Sequence, residues 1–202
     1  MDFLKEKILL SIFSFLFVKK LTNKKIYDII KKIGGIKMNI LALDASTKST
    51  GWAIFKEKEL IKYNCIIASS SDLVKRITKM INELEIILKE NKIDKIILEE
   101  VRPEQGVQNI KTHKALMYLQ AAITFLIHER FSTIEIEYLY PNEWRKGCDI
   151  RTGSGIRREE LKIADINFVK ENYNINVNDD IADAIGIGHS YVNQLKNEIN
   201  WE

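Results

Sequence analysis

The chain becomes regular at Met38, and from there its hydrophobic and polar positions switch between two periods. "NILAL" is a short continuous apolar run, the pattern of a strand buried on both faces. "GWAIFKE" and "ELIKYNCIIA" follow as two further strands joined by short turns, as in a meander. The period then changes. In "SSSDLVKRITKMINELEIILKENK" the residues Leu73, Ile77, Ile81, Leu84 and Leu88 fall on one helical face, behind a Ser/Asp group suited to cap it. "DKIILEEV" is a strand of β-branched residues that ends on two acids. "NIKTHKALMYLQAAITFLIHERF" is a second helix, apolar at Leu116, Leu119, Ile123, Leu126 and Ile127. "TIEIEYLY" alternates strictly and predicts a strand with one wet face. The polar, glycine-containing stretch "PNEWRKGCDIRTGSGIRRE" predicts a loop, and two helices, "REELKIADINFVKENY" and "DDIADAIGIGHSYVNQLK", come last.

The order β-β-β-α-β-α-β-α, with one extra helical piece near the end, predicts an α/β domain over residues 38–202. A mixed five-stranded sheet with an antiparallel meander on one side and helices on both faces accommodates it. Residues 1–37 break the pattern. "ILLSIFSFLFV" is an apolar run of eleven, roughly 16 Å as a helix against about 30 Å of hydrocarbon, so no stable membrane association is expected. No small-residue cleavage site follows it, and Gly34 and Gly35 mark the break before Met38. The segment is expected to be a lysine-rich apolar extension of the domain.

Charge changes the picture once it is divided. The net charge of +3 hides nine lysines against Asp2, Glu6 and Asp28 in the extension, leaving 22 basic and 25 acidic residues for the rest. Global basicity therefore says nothing about nucleic acid; local clusters must. Cys65 and Cys148 lack metal-ligand spacing, and three histidines are too scattered for a zinc site. A chain without a disulfide framework is expected in a reducing cytoplasm.

The candidate chemistry is carboxylate. Asp44 closes the first strand, Glu99 and Glu100 close the fourth, and Asp179, Asp180 and Asp183 open the last helix. In α/β sheets functional groups collect at strand ends near helix termini. Asp180 and Asp183 are three apart and share a helix face. Singly, each has an ordinary reading: Asp44 as a turn residue, "EE" as a solvated strand end, "DD" as a cap. Together, acids from three elements would repel strongly without a cation between them, and Mg²⁺, which prefers hard oxygen ligands, is the natural one.

These motifs, "LALDASTKSTGWAIF", "IILEEV" and "DDIADAIGIG", resemble the RNase H-like nuclease superfamily. Within it they resemble the compact, phage-like RuvC-type Holliday junction resolvases, over essentially Met38 to Gln194. The resemblance implies an RNase H-like fold and a catalytic, metal-binding set of Asp44, Glu99, Asp180 and Asp183. Glu99 is favoured over Glu100 because the next two residues are Glu100 and apolar Val101, and Asp179 becomes the helix cap. It implies a crossover junction endodeoxyribonuclease using two Mg²⁺ ions per active site, with Mn²⁺ as a possible substitute. It further implies a homodimer that nicks two strands symmetrically across a four-way junction.

For the DNA, the stretch from Trp144 to Lys162 gathers Arg145, Lys146, Arg151, Arg157, Arg158 and Lys162 among three glycines, with Arg158 and Lys162 matching the family best. Lys111, His113 and Lys114 follow the fourth strand and offer a second set of phosphate contacts; His189 is expected to pack or face solvent. Two rivals share the motifs. A flap, branched-DNA or RNA-processing nuclease would keep the fold, and "DASTKSTG" also resembles the phosphate-binding hairpin of actin-like sugar kinases. The kinase reading needs a second nucleotide-gripping domain and about twice this length.

Overall fold

The computed structural model describes residues 38–101 and 110–199. Residues 1–37, where the sequence predicts an extension, 102–109 and 200–202 lie outside the described residues. Five strands form one sheet: β1 (Asn39–Asp44), β2 (Ser49–Lys56), β3 (Glu59–Ile67), β4 (Lys95–Glu99) and β5 (Glu135–Leu139), in the order β3-β2-β1-β4-β5. The first three pair antiparallel, whereas β4 and β5 join β1 in parallel. Among the described residues five helices accompany them: α1 (Leu73–Glu90), α2 (Ile110–Arg130), α3 (Pro141–Gly147), α4 (Arg158–Tyr173) and α5 (Asp179–Ile199). Parallel central strands need cover on both faces, which explains why "NILAL" and "IIL" are apolar without alternation.

Strand alternation divides the core in two. Leu41, Leu43, Ile54, Ile96 and Leu98 pack against α1 and α2 through Leu84, Leu119 and Ile123. Ile40, Ala42, Ala53, Phe55 and Ile97 face the other way, toward Trp144, Val169 and Ile185 of α3 to α5. The mixed sheet with helices on both faces is thus the one expected. None of the described helices is long and apolar enough to cross a membrane, and both cysteines are free thiols.

Two local expectations need correction. Residues 141–147 form a helix and not a loop, because Pro141 occupies its first position and the Glu143 carboxylate accepts the Tyr140 backbone N–H at 2.9 Å. At the start of α5, Asn178 acts as the cap, accepting the Ile181 N–H at 3.0 Å, while the Asp179 side chain pairs with Lys162 instead.

A glycine on β2 lets the first turn of α5 approach the sheet closely. Gly51 pairs with Asp44 in the β1–β2 ladder, and a Cβ there would stand 1.8 Å from the Asp180 carbonyl oxygen. The first turn of α5 therefore rests directly on β2 backbone, beside Asp44. Gly51→Ala must push that turn outward, and backbone is the obstacle. We expect a loss at the upper end of the roughly 1–3 kcal/mol typical of overpacking, read from urea unfolding. An unchanged midpoint would mean that α5 does not sit this close.

Candidate active site

The register of two parallel strands puts the first pair of acids side by side. Leu43 of β1 lies opposite Leu98 of β4, and one step further each strand reaches its acid, Asp44 and Glu99. Alternation then fixes their direction. Ile40 and Ala42 point into the α3–α5 core, so Asp44 does too; Ile97 points there, so Glu99 follows. The opening turn of α5 crosses this face and supplies Asp180 and Asp183.

Their electrostatics record the crowding. Burial raises the Asp44 carboxyl well above the usual carboxylate range, and the charges of Glu99 and Asp180 raise it further. Glu99 is raised chiefly by burial, although the Trp144 N–H and the Arg145 charge act against this. Asp183 is pushed up to about 10, by burial first, then by Asp44 and Asp165. Its Oδ1 is buried with no hydrogen-bond partner among the described residues. A buried, unpartnered carboxylate oxygen near Asp44 and Asp165 is costly unless a cation or a proton compensates it.

Glu99, Asp180 and Asp183 also have protein partners. Trp144 Nε1 donates to Glu99 Oε2 at 2.6 Å, and the Ser49 hydroxyl donates to Asp180 Oδ2. Ser49 has one proton to give, so the Cys65 thiol, 2.8 Å away, donates to Ser49. Arg145 forks onto Asp165 with bonds of 2.8, 3.1 and 3.2 Å and reaches Asp183 Oδ2 at 3.5 Å. Turned this way, no three His, Cys, Asp or Glu side chains among the described residues already enclose a metal ion. The donor set nevertheless fits one in kind. It is all carboxylate oxygen, as hard divalent cations prefer, and the orphaned Asp183 Oδ1 is the atom such an ion would satisfy.

Two hydroxyls of the hairpin after Asp44 are engaged within the fold. The Thr50 hydroxyl donates to the Ser46 carbonyl at 2.6 Å and accepts the Ser46 N–H at 3.1 Å, and Ser49 is committed to Asp180. Its hydroxyls close the turn and brace the acid.

The proposed DNA contacts separate into three groups. Arg158 is exposed, yet its charge acts on Glu99, and Lys162 pairs with Asp179 at the mouth of the site. Arg157 instead caps α4 from outside, its guanidinium on Glu160 at 2.8 and 3.0 Å. Lys111 and Lys114 are exposed in the first turns of α2, on the opposite face of the sheet. As a crossover between parallel β4 and β5, α2 starts at the same sheet end as the acids. Arg145 corrects the reading of the basic stretch: it turns inward and is held by Asp165. His189 packs, edge-on to Phe168 and bonded to the Tyr173 hydroxyl at 2.8 Å.

Trp144, Asp165 and Ser49 are the neighbours that sequence reasoning missed. Asp165 left a signal: it occupies the buried position between Leu161 and Val169 at helical spacing, where an apolar residue belongs.

No family model matches the chain. Two curated relatives do: the crossover junction endodeoxyribonucleases RuvC of Ehrlichia ruminantium strains Welgevonden and Gardel, each 28% identical. The matches run over 170 and 171 residues, 79% of this chain and 99% of each relative. Among solved structures, Thermus thermophilus RuvC in complex with a Holliday junction substrate aligns with a TM-score of 0.63 at 10% identity, over 80% of this chain and 98% of that one. The yeast mitochondrial Holliday junction resolvase Ydc2 aligns with a TM-score of 0.53 at 15% identity, over 89% and 90%. At these identities the structures speak for the fold alone.

Proposed function

We propose that this chain, RuvC-type in sequence and fold, is a crossover junction endodeoxyribonuclease that resolves four-way (Holliday) DNA junctions by paired symmetric nicks. One observation carries the reading: three separate elements deliver Asp44, Glu99, Asp180 and Asp183 to one face at the sheet's end. The nuclease depends on a divalent metal, and Mg²⁺ is our assignment, two ions per site, with Mn²⁺ as a substitute. Asp44, Glu99, Asp180 and Asp183 would hold the ions, which when bound supply an activated water and charge stabilisation at the leaving oxygen.

The protein's own groups do the rest. The rigid strand ends fix Asp44 and Glu99, and α5 brings the acid pair over them. Ser49 and Trp144 orient two of the carboxylates, and Asp165 anchors the Arg145 guanidinium within reach of Asp183. Arg158 and Lys162 at the mouth, Lys111 and Lys114 on α2, and Arg157 farther out are the proposed phosphate contacts. Symmetric nicking requires two sites related by a two-fold axis, hence a homodimer; the cytoplasm is our assignment for where it works.

The test is to incubate the protein with a synthetic four-way junction, a flap and a plain duplex, with Mg²⁺ and with EDTA. Paired symmetric nicks in the junction alone are expected. Equal cleavage of the duplex would sink the resolvase assignment, and preferential flap cutting would move the substrate while keeping the chemistry.

The raised carboxyls also predict a pH dependence of stability. Asp44, Glu99 and Asp183 hold protons in the fold that the unfolded chain releases above about pH 4. Stability in EDTA should therefore fall as pH rises from about 4 toward 10, the folded value at Asp183. A divalent ion replaces those protons, so Mg²⁺ or Mn²⁺ should raise Tm more at pH 8 than at pH 5. Thermal scans at the two pH values decide it; an equal metal-induced rise at both would contradict the carboxylate set.

A further inference from the structure

We infer that Trp144 is a positioning residue for Glu99, fixing one carboxylate oxygen so that the other is left for a divalent ion. The inference rests on the metal-dependent reading above. Trp144 is fully buried on the inner side of α3, and its indole N–H meets Glu99 Oε2 at 2.6 Å. An indole donates and cannot accept, so this bond has one sense and one direction. It occupies Oε2, so that the oxygen offered to the ion would be Oε1.

The ring itself is held from two sides. The Arg145 guanidinium stacks 4.2 Å from the ring centre and is anchored in turn by its fork onto Asp165. Across from it, α5 gives way: a Cβ on Gly186 would lie 2.6 Å from the indole Cζ3. Glycine is needed there, one turn beyond Asp183, to admit the ring. Consecutive residues of a seven-residue helix thus act on two of the four acids, Trp144 on Glu99 and Arg145 on Asp183. Outer-shell donors of this kind orient ligating carboxylates, and their loss costs about 10–100-fold in metal affinity. The competing account is that Glu99 serves merely to satisfy a buried indole N–H, which needs some acceptor.

The two accounts differ in a double-mutant cycle. The full chain would be titrated with Mn²⁺ and Mg²⁺, following thermal unfolding without DNA, for wild type, Trp144→Phe, Glu99→Gln and the double variant. Phe keeps an aromatic ring and removes the donor. The half-saturating metal concentration should rise about 10-fold in Trp144→Phe and should not rise further when that change is added to Glu99→Gln. Junction nicking by Trp144→Phe should recover at raised metal. A folded Trp144→Phe with wild-type metal response, or an equal penalty in both backgrounds, overturns the inference. No metal response in the wild type would overturn the metal-dependent reading instead. Should Trp144→Phe fail to fold, benzothienylalanine at position 144 exchanges the N–H for sulfur at nearly unchanged shape, with the same two outcomes.

Discussion

Asp44→Asn is expected to abolish junction cleavage, by about 10³-fold or more, while leaving the fold more stable in EDTA than the wild type. The first half follows from its place in the proposed metal set. Removing one carboxylate from it forfeits several kcal/mol of transition-state charge stabilisation, and each 1.36 kcal/mol is about tenfold in rate. The second half follows from crowding. Asp44 is sunk at the end of a rigid strand, with burial, Glu99 and Asp180 all opposing its charge. Asparagine keeps the shape and needs neither a buried charge nor a proton held above the ordinary carboxylate range, so about 1 kcal/mol of relief, roughly 2–4 °C in Tm, is expected. Junction binding measured in EDTA should be retained, since Asp44 holds a proton there and asparagine takes no charge away from the face that meets phosphate. Opposite signs for activity and stability are what a functional carboxylate predicts and a structural turn residue does not. Cleavage within tenfold of wild type would remove Asp44 from the set; a lower Tm in EDTA would remove the electrostatic account.

The sheet and its long helices were legible because their signals are periodic. "NILAL" and "IIL" had to be central, and Leu84, Leu88, Leu119 and Ile123 had to face the sheet; all are buried there. The four acids were legible for another reason: they stand where apolar runs stop, and position in the element order does not depend on side-chain detail. The surroundings of those acids were not. Helix α3 is seven residues long, too short to show a period, and its evidence was Pro141 and Glu143 within a glycine-containing stretch. Arg145 looked like one cation among many until the fold turned it onto Asp165. That choice is made by tertiary packing, through Gly186 and the buried indole, and no local spacing encodes it. The glycine that settles α5 against β2 behaves likewise: "STG" marks a turn in sequence, but the neighbour of Gly51 is a carbonyl about 130 residues away.

Adjacent Glu99 and Glu100 offer the sharpest separation of site from surface. Period-two geometry sends them to opposite faces. Glu99 follows Ile97 toward α3–α5 and meets Trp144, whereas Glu100 lines a groove with Met117, Thr124 and Tyr138 on the α2 side. The Glu100 backbone N–H, bonded to the Leu139 carbonyl at 2.9 Å, extends the ladder and holds this alternation in place. Glu99→Gln is therefore expected to lower junction cleavage by about 10²–10³-fold at saturating Mg²⁺. Glu100→Gln should stay within about threefold of wild type, as surface substitutions generally do. Each change removes one negative charge at nearly the same distance along the chain, so long-range electrostatics toward DNA cancels in the comparison. What remains is the direction of the side chain. The amide of Glu99→Gln can still accept the Trp144 N–H through its oxygen, so the fold should hold and the loss should lie in metal-dependent chemistry. Single-turnover nicking across a Mg²⁺ titration measures both variants together. If Glu100→Gln is the inactive one, the register of β4 or the choice of ligand is wrong, and the carboxylate set moves to the opposite face of the sheet.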